Sequence, residues 1–185
     1  ALSTKPWRNT IGQRSTNTRI KVVVVGDLAV GKTSWIRRAI NNEYNRRSVP
    51  TLVPEPVLQD VLLDSDLYDG CDRTAACTIV DVPGSMRHNT LCPQVMRGAD
   101  VVIILTEHHK RQGGDAYWRS EAAQFADWHE RTLDDCQGAV VIHFHNKTDL
   151  PTVWQHQPDV LKGYVSQPIH NRDCDIEAWG SAKSG

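Results

Sequence analysis

Apolar runs alternate along this chain with polar stretches broken by glycine and proline, and the period of each run separates strands from helices. Residues 20–25, Ile-Lys-Val-Val-Val-Val, are β-branched and bounded by charge, which reads as a buried parallel strand. Beyond a glycine-bounded loop, apolar residues recur at helical spacing through Trp35, Ile36, Ala39 and Ile40 and predict a helix ending near Asn41 and Asn42. Residues 43–51 show no period and carry Arg46, Arg47 and Pro50, the composition of a surface loop. Alternation over 52–63, with Pro54 and Pro56 at its start, predicts an edge strand, because proline cannot donate to a central ladder. Acidic residues 64–73, with Gly70, make a long hairpin connection to a strand over 75–82. Residues 85–98 are polar, interrupted by Pro93, and read as a loop with one short helix.

The second half repeats the alternation. Residues 99–106 are a buried strand. Gly113-Gly114 then breaks the chain before Asp115, which suits a helix N-cap. Trp118, Ala122, Phe125, Ala126, His129 and Leu133 form one helical stripe, read as core. Gly138 ends that element, 139–145 is another buried strand, and 150–172 leaves room for one short helix near 158–166 among its prolines. Residues 175–179 form a last strand. Strands alternating with helices predict a right-handed α/β sheet that presents ligand groups at the carboxyl ends of its strands.

Composition narrows the class. The 185 residues support one domain, with residues 1–19, polar and holding Trp7 as the lone large apolar group, expected to be a mobile extension and 20–185 the folded unit. A net charge of −1 excludes a nucleic-acid partner held by bulk electrostatics. Neither a secretory hydrophobic core nor an 18-residue apolar run is present, so a reducing, cytoplasmic setting is expected. Cys71, Cys77, Cys92, Cys136 and Cys174 are scattered and read as ordinary thiols. The eight histidines, among them His143 and His145 two apart on one strand, lack zinc-site spacing.

The chemistry concentrates in four polar segments. Gly26-Asp-Leu-Ala-Val-Gly31-Lys32-Thr33-Ser34 lies between a strand and a helix, the context in which such a loop turns its N–H groups toward phosphate and adds the helix dipole. Lys32 would reach the β- and γ-phosphates and Thr33 would ligate Mg²⁺. Asp81, at a strand end, is placed to hold Mg²⁺ through water. Gly84 offers an N–H to the γ-phosphate with no side chain intervening, and Thr51 offers hydroxyl and carbonyl to metal and phosphate. Asn146 and Asp149 supply polar groups for a base edge, with the Lys147 stem along the base plane. Asp149 favours guanine, whose N1–H and amino group both donate to a carboxylate; adenine would leave it unpaired.

Taken together, Gly26-x-x-x-x-Gly31-Lys32-Thr33, Thr51, Asp81-x-x-Gly84, Asn146-Lys147-x-Asp149 and Ser181-Ala182-Lys183 resemble the Ras superfamily of small GTPases over residues 20–185. Within it, Arg97-Gly98-Ala99-Asp100 before a strand looks like Rab proteins. The resemblance implies a three-layer P-loop NTPase domain, a mostly parallel sheet with helices on both faces. It implies GTP or GDP with Mg²⁺ on Thr33, Thr51 and, through water, Asp81. Leu28, Ala29, Val30, Gly31, Lys32, Thr33 and Ser34 would then line the phosphates. Tyr44 would flank the base, which Asn146, Lys147, Asp149, Ser181, Ala182 and Lys183 would enclose. It also implies effectors, exchange factors and GTPase-activating proteins as partners, with cycling to a membrane.

Four features depart from the family pattern. Leu28 replaces a glycine of many Ras and Rho members, although Rab proteins tolerate other residues there. Ser85 stands where the family carries the water-orienting glutamine and is too short for that task, so hydrolysis through Ser85, Thr51 and Lys32 is expected to be slow; His88 is an alternative helper. Residues 64–73 lengthen the hairpin, either as a tolerated insertion or as a partner contact. The final helix of the family is expected to be missing after Gly185, through truncation or replacement by a partner. The expected function is a Rab-like GTP switch with slow hydrolysis, in vesicle transport; the alternative is a non-hydrolysing GTP-bound subunit of a vesicle or ciliary transport assembly. An ATP-using kinase conflicts with Asp149.

Overall fold

Valines at 22–25 point alternately to opposite faces of the strand that carries them, so both faces must be covered. The computed structural model describes residues 15–47, 49–63, 73–85, 91–107, 115–149 and 174–184. Their elements run β1 (Ser15–Val25), α1 (Lys32–Asn41), β2 (Glu55–Leu63), β3 (Arg73–Asp81), α2 (Cys92–Met96), β4 (Val101–Glu107), α3 (Asp115–Asp135), β5 (Val140–Asn146) and β6 (Ile176–Trp179). The strands form one sheet in the order β2-β3-β1-β4-β5-β6. β2 pairs antiparallel with β3 at the edge, where its Pro56 is tolerated, and every other pair is parallel.

On one face, Val23, Val25, Val80, Val82, Val102, Ile104 and Val141 pack with Cys92 and Met96 of α2 and with Phe125 and Trp128 of α3. On the other, Val24, Ile103 and Leu105 pack with Ile36 of α1, flanked by Trp35, whose ring meets Phe144 edge-on at 5.4 Å. The outcome is the three-layer, mostly parallel architecture expected, and the five strands that run parallel deliver their carboxyl ends to one edge.

Two expectations are corrected. Strand β1 begins at Ser15 rather than near residue 20, because its backbone pairs with β3 from Ser15↔Thr74 onward across an irregularity before Arg19. The expected extension thus loses residues 15–19 to the sheet, and residues 1–14 lie outside the described set. The buried stripe of α3 is Phe125, Trp128, His129 and Thr132, whereas Ala126 and Leu133 face solvent. The Trp118 side chain, the 64–72 connection, His88, Cys71 and the helix expected near 158–166 also lie outside the described residues.

The α3 face holds an uninterrupted column of rings. Trp179 stacks on His145 (5.0 Å between centroids), the His145 ring meets His143 tilted by 42° (3.9 Å), His143 stacks on Phe125 (4.1 Å) and Phe125 on His129 (5.6 Å). Burial, reinforced by His145, lowers the His143 imidazole to about 3, so it is neutral at physiological pH. Cys77, Cys92 and Cys136 are buried free thiols; burial raises all three above their ordinary range, which keeps them protonated. Among the described residues, no helix is long and apolar enough to cross a membrane.

Candidate functional site

The loop from Gly26 to Gly31 leaves β1 and enters α1 through residues with positive φ, Ala29 at 64° and Gly31 at 96°. At Gly31 a Cβ would stand 2.6 Å from the Asn146 Nδ2, so the close approach of these two segments requires glycine. Lys32 is buried, and its Nζ folds back to donate to the Gly26 and Asp27 carbonyls at 2.8 and 2.9 Å. Burial lowers its ammonium to about 8, against the opposing charges of Asp81 and Asp27. An anion entering the loop would give that ammonium a stronger acceptor than either carbonyl.

Beside the lysine three oxygens converge. The Thr33 hydroxyl donates to Asp81 Oδ2 at 2.6 Å, the Thr51 hydroxyl reaches the same atom at 3.2 Å, and the two hydroxyls lie 2.8 Å apart. Asp81 Oδ1 is buried and has no hydrogen-bond partner among the described residues. Burial raises the Asp81 carboxyl above its ordinary range, with the Thr33 hydrogen bond, the Lys32 charge and the Thr51 hydrogen bond opposing it. A buried carboxylate oxygen without a donor costs free energy unless a cation or proton meets it. Two hydroxyls and a carboxylate are the hard oxygen donors that Mg²⁺ prefers, so the residues present fit that ion.

Gly84 closes this end of the site. A Cβ there would lie 2.5 Å from the Leu28 nitrogen and 2.6 Å from the Asp27 carbonyl carbon, so the 83–85 segment packs directly on the phosphate-type loop. Ser85 follows as an exposed residue on the short turn, and the Leu28 side chain is 64% exposed.

The other end is a cleft of about 410 Å³ lined by Ala29, Gly31, Ser34, Tyr44, Asn45, Arg46, Asn146, Lys147, Asp149, Ser181, Ala182 and Lys183. Asp149 accepts from the Ser181 hydroxyl and pairs with Lys183 Nζ at 3.2 Å. Burial alone would push its carboxyl up, but the Ser181 and Lys183 contacts outweigh it and hold the group below its ordinary range, ionised. Lys147 pairs with Glu107 at 2.8 Å.

Asn146, expected at the base edge, uses its carboxamide here to join two backbones. Its Nδ2 donates to the Val30 carbonyl at 2.8 Å and its Oδ1 accepts from the Ala182 N–H at 3.1 Å, with the residue 1% exposed. The carboxamide is therefore a strut between the first loop and the 181–183 turn. Two further residues escaped the sequence reading. Arg38 of α1 donates from Nε to the Ala182 carbonyl at 2.8 Å and from Nη2 to the Lys183 carbonyl at 2.9 Å. Trp128 of α3 donates its indole N–H to Asp27 at 2.9 Å. Helical spacing alone flags Trp128 as core; nothing local marks Arg38.

Comparison with known proteins agrees with this geometry. A family model described as Ras of Complex, Roc, domain of DAPkinase matches residues 21–149. Ras-related protein RGP1 of Oryza sativa subsp. japonica is 30% identical over 135 residues, 72% of this chain and 53% of that protein. Ras-related protein RABA4d of Arabidopsis thaliana is 30% identical over 132 residues, covering 70% of this chain and 52% of its own length. Ypt/Rab-type GTPase ypt7 of Pyricularia oryzae is 28% identical over 104 residues, 55% and 47% respectively. The chain spans about half the length of these curated relatives.

Proposed function

The chain belongs to the Ras superfamily of small GTPases and is Rab-like within it, and from that premise we propose that it is a guanine-nucleotide switch that hydrolyses GTP slowly. The observation that carries the reading is the oxygen cluster of Thr33, Thr51 and Asp81, with a buried carboxylate oxygen that has no partner among the described residues. Thr33, Thr51 and Asp81 would hold Mg²⁺, whose charge, when bound, offsets that of the phosphates. The loop N–H groups and Lys32 Nζ bind the β- and γ-phosphates, the ammonium turning from the Gly26 and Asp27 carbonyls to phosphate oxygens. Asp149 accepts from the guanine N1–H and amino group, the Lys147 stem covers the base plane, and Asn146 keeps the two loops in register.

In hydrolysis, a water oxygen bonds to the γ-phosphorus while the bond to the β–γ bridging oxygen breaks, giving GDP and phosphate that takes up the water proton. Ser85 is exposed and too short to orient that water, which makes the step slow. Thr51 ties the 49–51 segment to the phosphate end, so loss of the γ-phosphate frees this segment and the Gly84 turn and changes the surface read by an effector. The Rab likeness supports a role in intracellular vesicle transport, with exchange factors and activating proteins as partners and a cytoplasmic pool cycling to a membrane. A second reading, a GTP-bound subunit that does not hydrolyse, is favoured by Ser85 and by Leu28, exposed over the loop.

Single-turnover hydrolysis of bound GTP, in wild type and Ser85→Gln, tests this. We expect a slow wild type that Ser85→Gln accelerates. Inert proteins in both cases would favour the second reading. Tighter binding of ATP than GTP would refute both.

A further inference from the structure

The ring column on the α3 face is chemically richer than a hydrophobic core requires, because its middle members present ligand atoms to one point. His143 and His145 share a face of β5, being two residues apart on a strand. The parallel register sets Glu177 of β6 directly beside His143. His145 Nε2 lies 2.9 Å and His143 Nδ1 4.0 Å from Glu177 Oε1, and the three ligand atoms fall within 4.8 Å of one another. We propose that His143, His145 and Glu177 form a binding site for one transition-metal ion of the zinc class, which staples β6 onto β5.

Zn²⁺ bonds to imidazole and carboxylate at about 2.0–2.2 Å, so tetrahedral ligands sit about 3.3–3.5 Å apart. The observed 2.9 and 4.0 Å bracket that spacing. The imidazoles are pre-set. Phe125 stacks on His143 and Trp179 on His145, which fixes both ring planes. The Thr106 hydroxyl lies 2.9 Å from His143 Nε2, so a proton on Nε2 leaves the Nδ1 lone pair aimed at Glu177. Such an outer hydrogen bond orients histidine ligands in metal sites generally. His143 and His145 are 2% and 5% exposed, whereas the Glu177 side chain is 44% exposed, which gives an entry path and room for a water as fourth ligand. Two imidazoles and one carboxylate, without a thiolate, select Zn²⁺, Co²⁺, Ni²⁺ or Cu²⁺ over Mg²⁺ or Ca²⁺.

The site's position gives it a consequence. β6 has four residues, and after it Gly180 leads into the Ser181–Lys183 turn. The Gly180 N–H bonds the His145 carbonyl at 3.0 Å, so metal on His145 and Glu177 holds the strand that presents the turn. This consequence rests on the nucleotide reading; metal uptake does not.

The test is a titration of the full chain with Co²⁺, in millimolar Mg²⁺ and GDP so that the hard-oxygen site is filled, followed by displacement with Zn²⁺. We expect one equivalent of Co²⁺ with the intense visible bands of a tetrahedral nitrogen-oxygen site, bleached by Zn²⁺. Glu177→Gln should weaken uptake at least tenfold and Thr106→Val about tenfold, while His145→Asn abolishes it. If His145→Asn does not fold, the half-exposed Glu177→Gln decides. No stoichiometric uptake, uptake unchanged in Glu177→Gln, or a near-ultraviolet thiolate band marking cysteine ligands would overturn the site. Release of a fluorescent GDP analogue should slow several-fold with Zn²⁺ in wild type and not in Glu177→Gln. A rate indifferent to saturating Zn²⁺ would overturn the staple, and absent GDP binding would instead count against the nucleotide reading.

Discussion

Arg38→Met removes the clamp that α1 places on the 181–183 turn while keeping most of the side chain's volume. Wild-type Arg38 gives the turn two charge-assisted hydrogen bonds, to the Ala182 and Lys183 carbonyls at 2.8 and 2.9 Å. Bonds from a charged donor contribute about 1.5–3 kcal/mol each, and a half-buried guanidinium belongs at the low end. Three ties remain in the variant, Ala182 to Asn146 and both Ser181 and Lys183 to Asp149, so only part of the lost energy reaches the turn. We therefore expect opening of the turn to become easier by about 2 kcal/mol, which is roughly thirtyfold in rate. The assay is stopped-flow release of a fluorescent GDP analogue chased with unlabelled GDP. Arg37→Met, one position away on the exposed side of α1, is the control and should release at the wild-type rate. Arg38→Lys keeps the charge but cannot span both carbonyls, so its release should also be fast. A melting temperature lowered by about 4–8 °C should accompany the effect. Release within twofold of wild type in Arg38→Met would refute the clamp, whatever the melting temperature does.

Lys32→Met should abolish nucleotide binding in calorimetric titration yet leave the nucleotide-free fold at least as stable, because it removes a buried ammonium. Burial lowers Lys32 to about 8 from the ordinary 10.5, so between those values the unfolded chain binds more protons than the folded one. Nucleotide-free wild type should then gain about 2 kcal/mol over Lys32→Met between roughly pH 7.5 and 9.5, read from urea midpoints; a flat difference would contradict this. Gly84→Ala drives a methyl group into the Leu28 nitrogen and Asp27 carbonyl carbon, a backbone overlap that should cost about 1–3 kcal/mol. An unchanged melting temperature would show that residue 84 does not rest on the loop. Asp149→Asn should weaken GDP about a hundredfold or more and admit xanthosine diphosphate, whose 2-oxo group suits an amide donor. If competition binding reveals no such swap, the base is read by other groups.

The phosphate-type loop and the central strands were legible because each rests on a local signal. Glycine spacing marks the loop, and unbroken β-branched runs mark strands buried on two faces. What escaped depended on partners distant in sequence. Ser15 to Thr18 are polar and carry no strand pattern; β3 across the sheet makes them strand. On α3, Leu133 was expected inside and Trp128 was not singled out, since an indole with a partner 101 residues away has no local signature. Asn146 lines the cleft, and its carboxamide bonds two backbones that only the tertiary fold brings near. The same reason hid Arg38, which reads as a surface charge, and Glu177, whose place beside His143 follows from the β5–β6 register.

Asn146 sets an order on how this molecule comes into being. Its two backbone partners lie 116 residues before it and 36 residues after it. A chain emerging from the ribosome builds the loop and α1 early, and later β4 and β5, but no intermediate holds a finished pocket until Ala182 has arrived and docked. Until then Val30 and Asn146 can meet only as an open half-site, without the turn that encloses the ligand. On the proposed nucleotide reading, capture of the ligand would wait for a completed chain. Bound nucleotide would then stabilise completed molecules by mass action and give nothing to nascent or clipped ones.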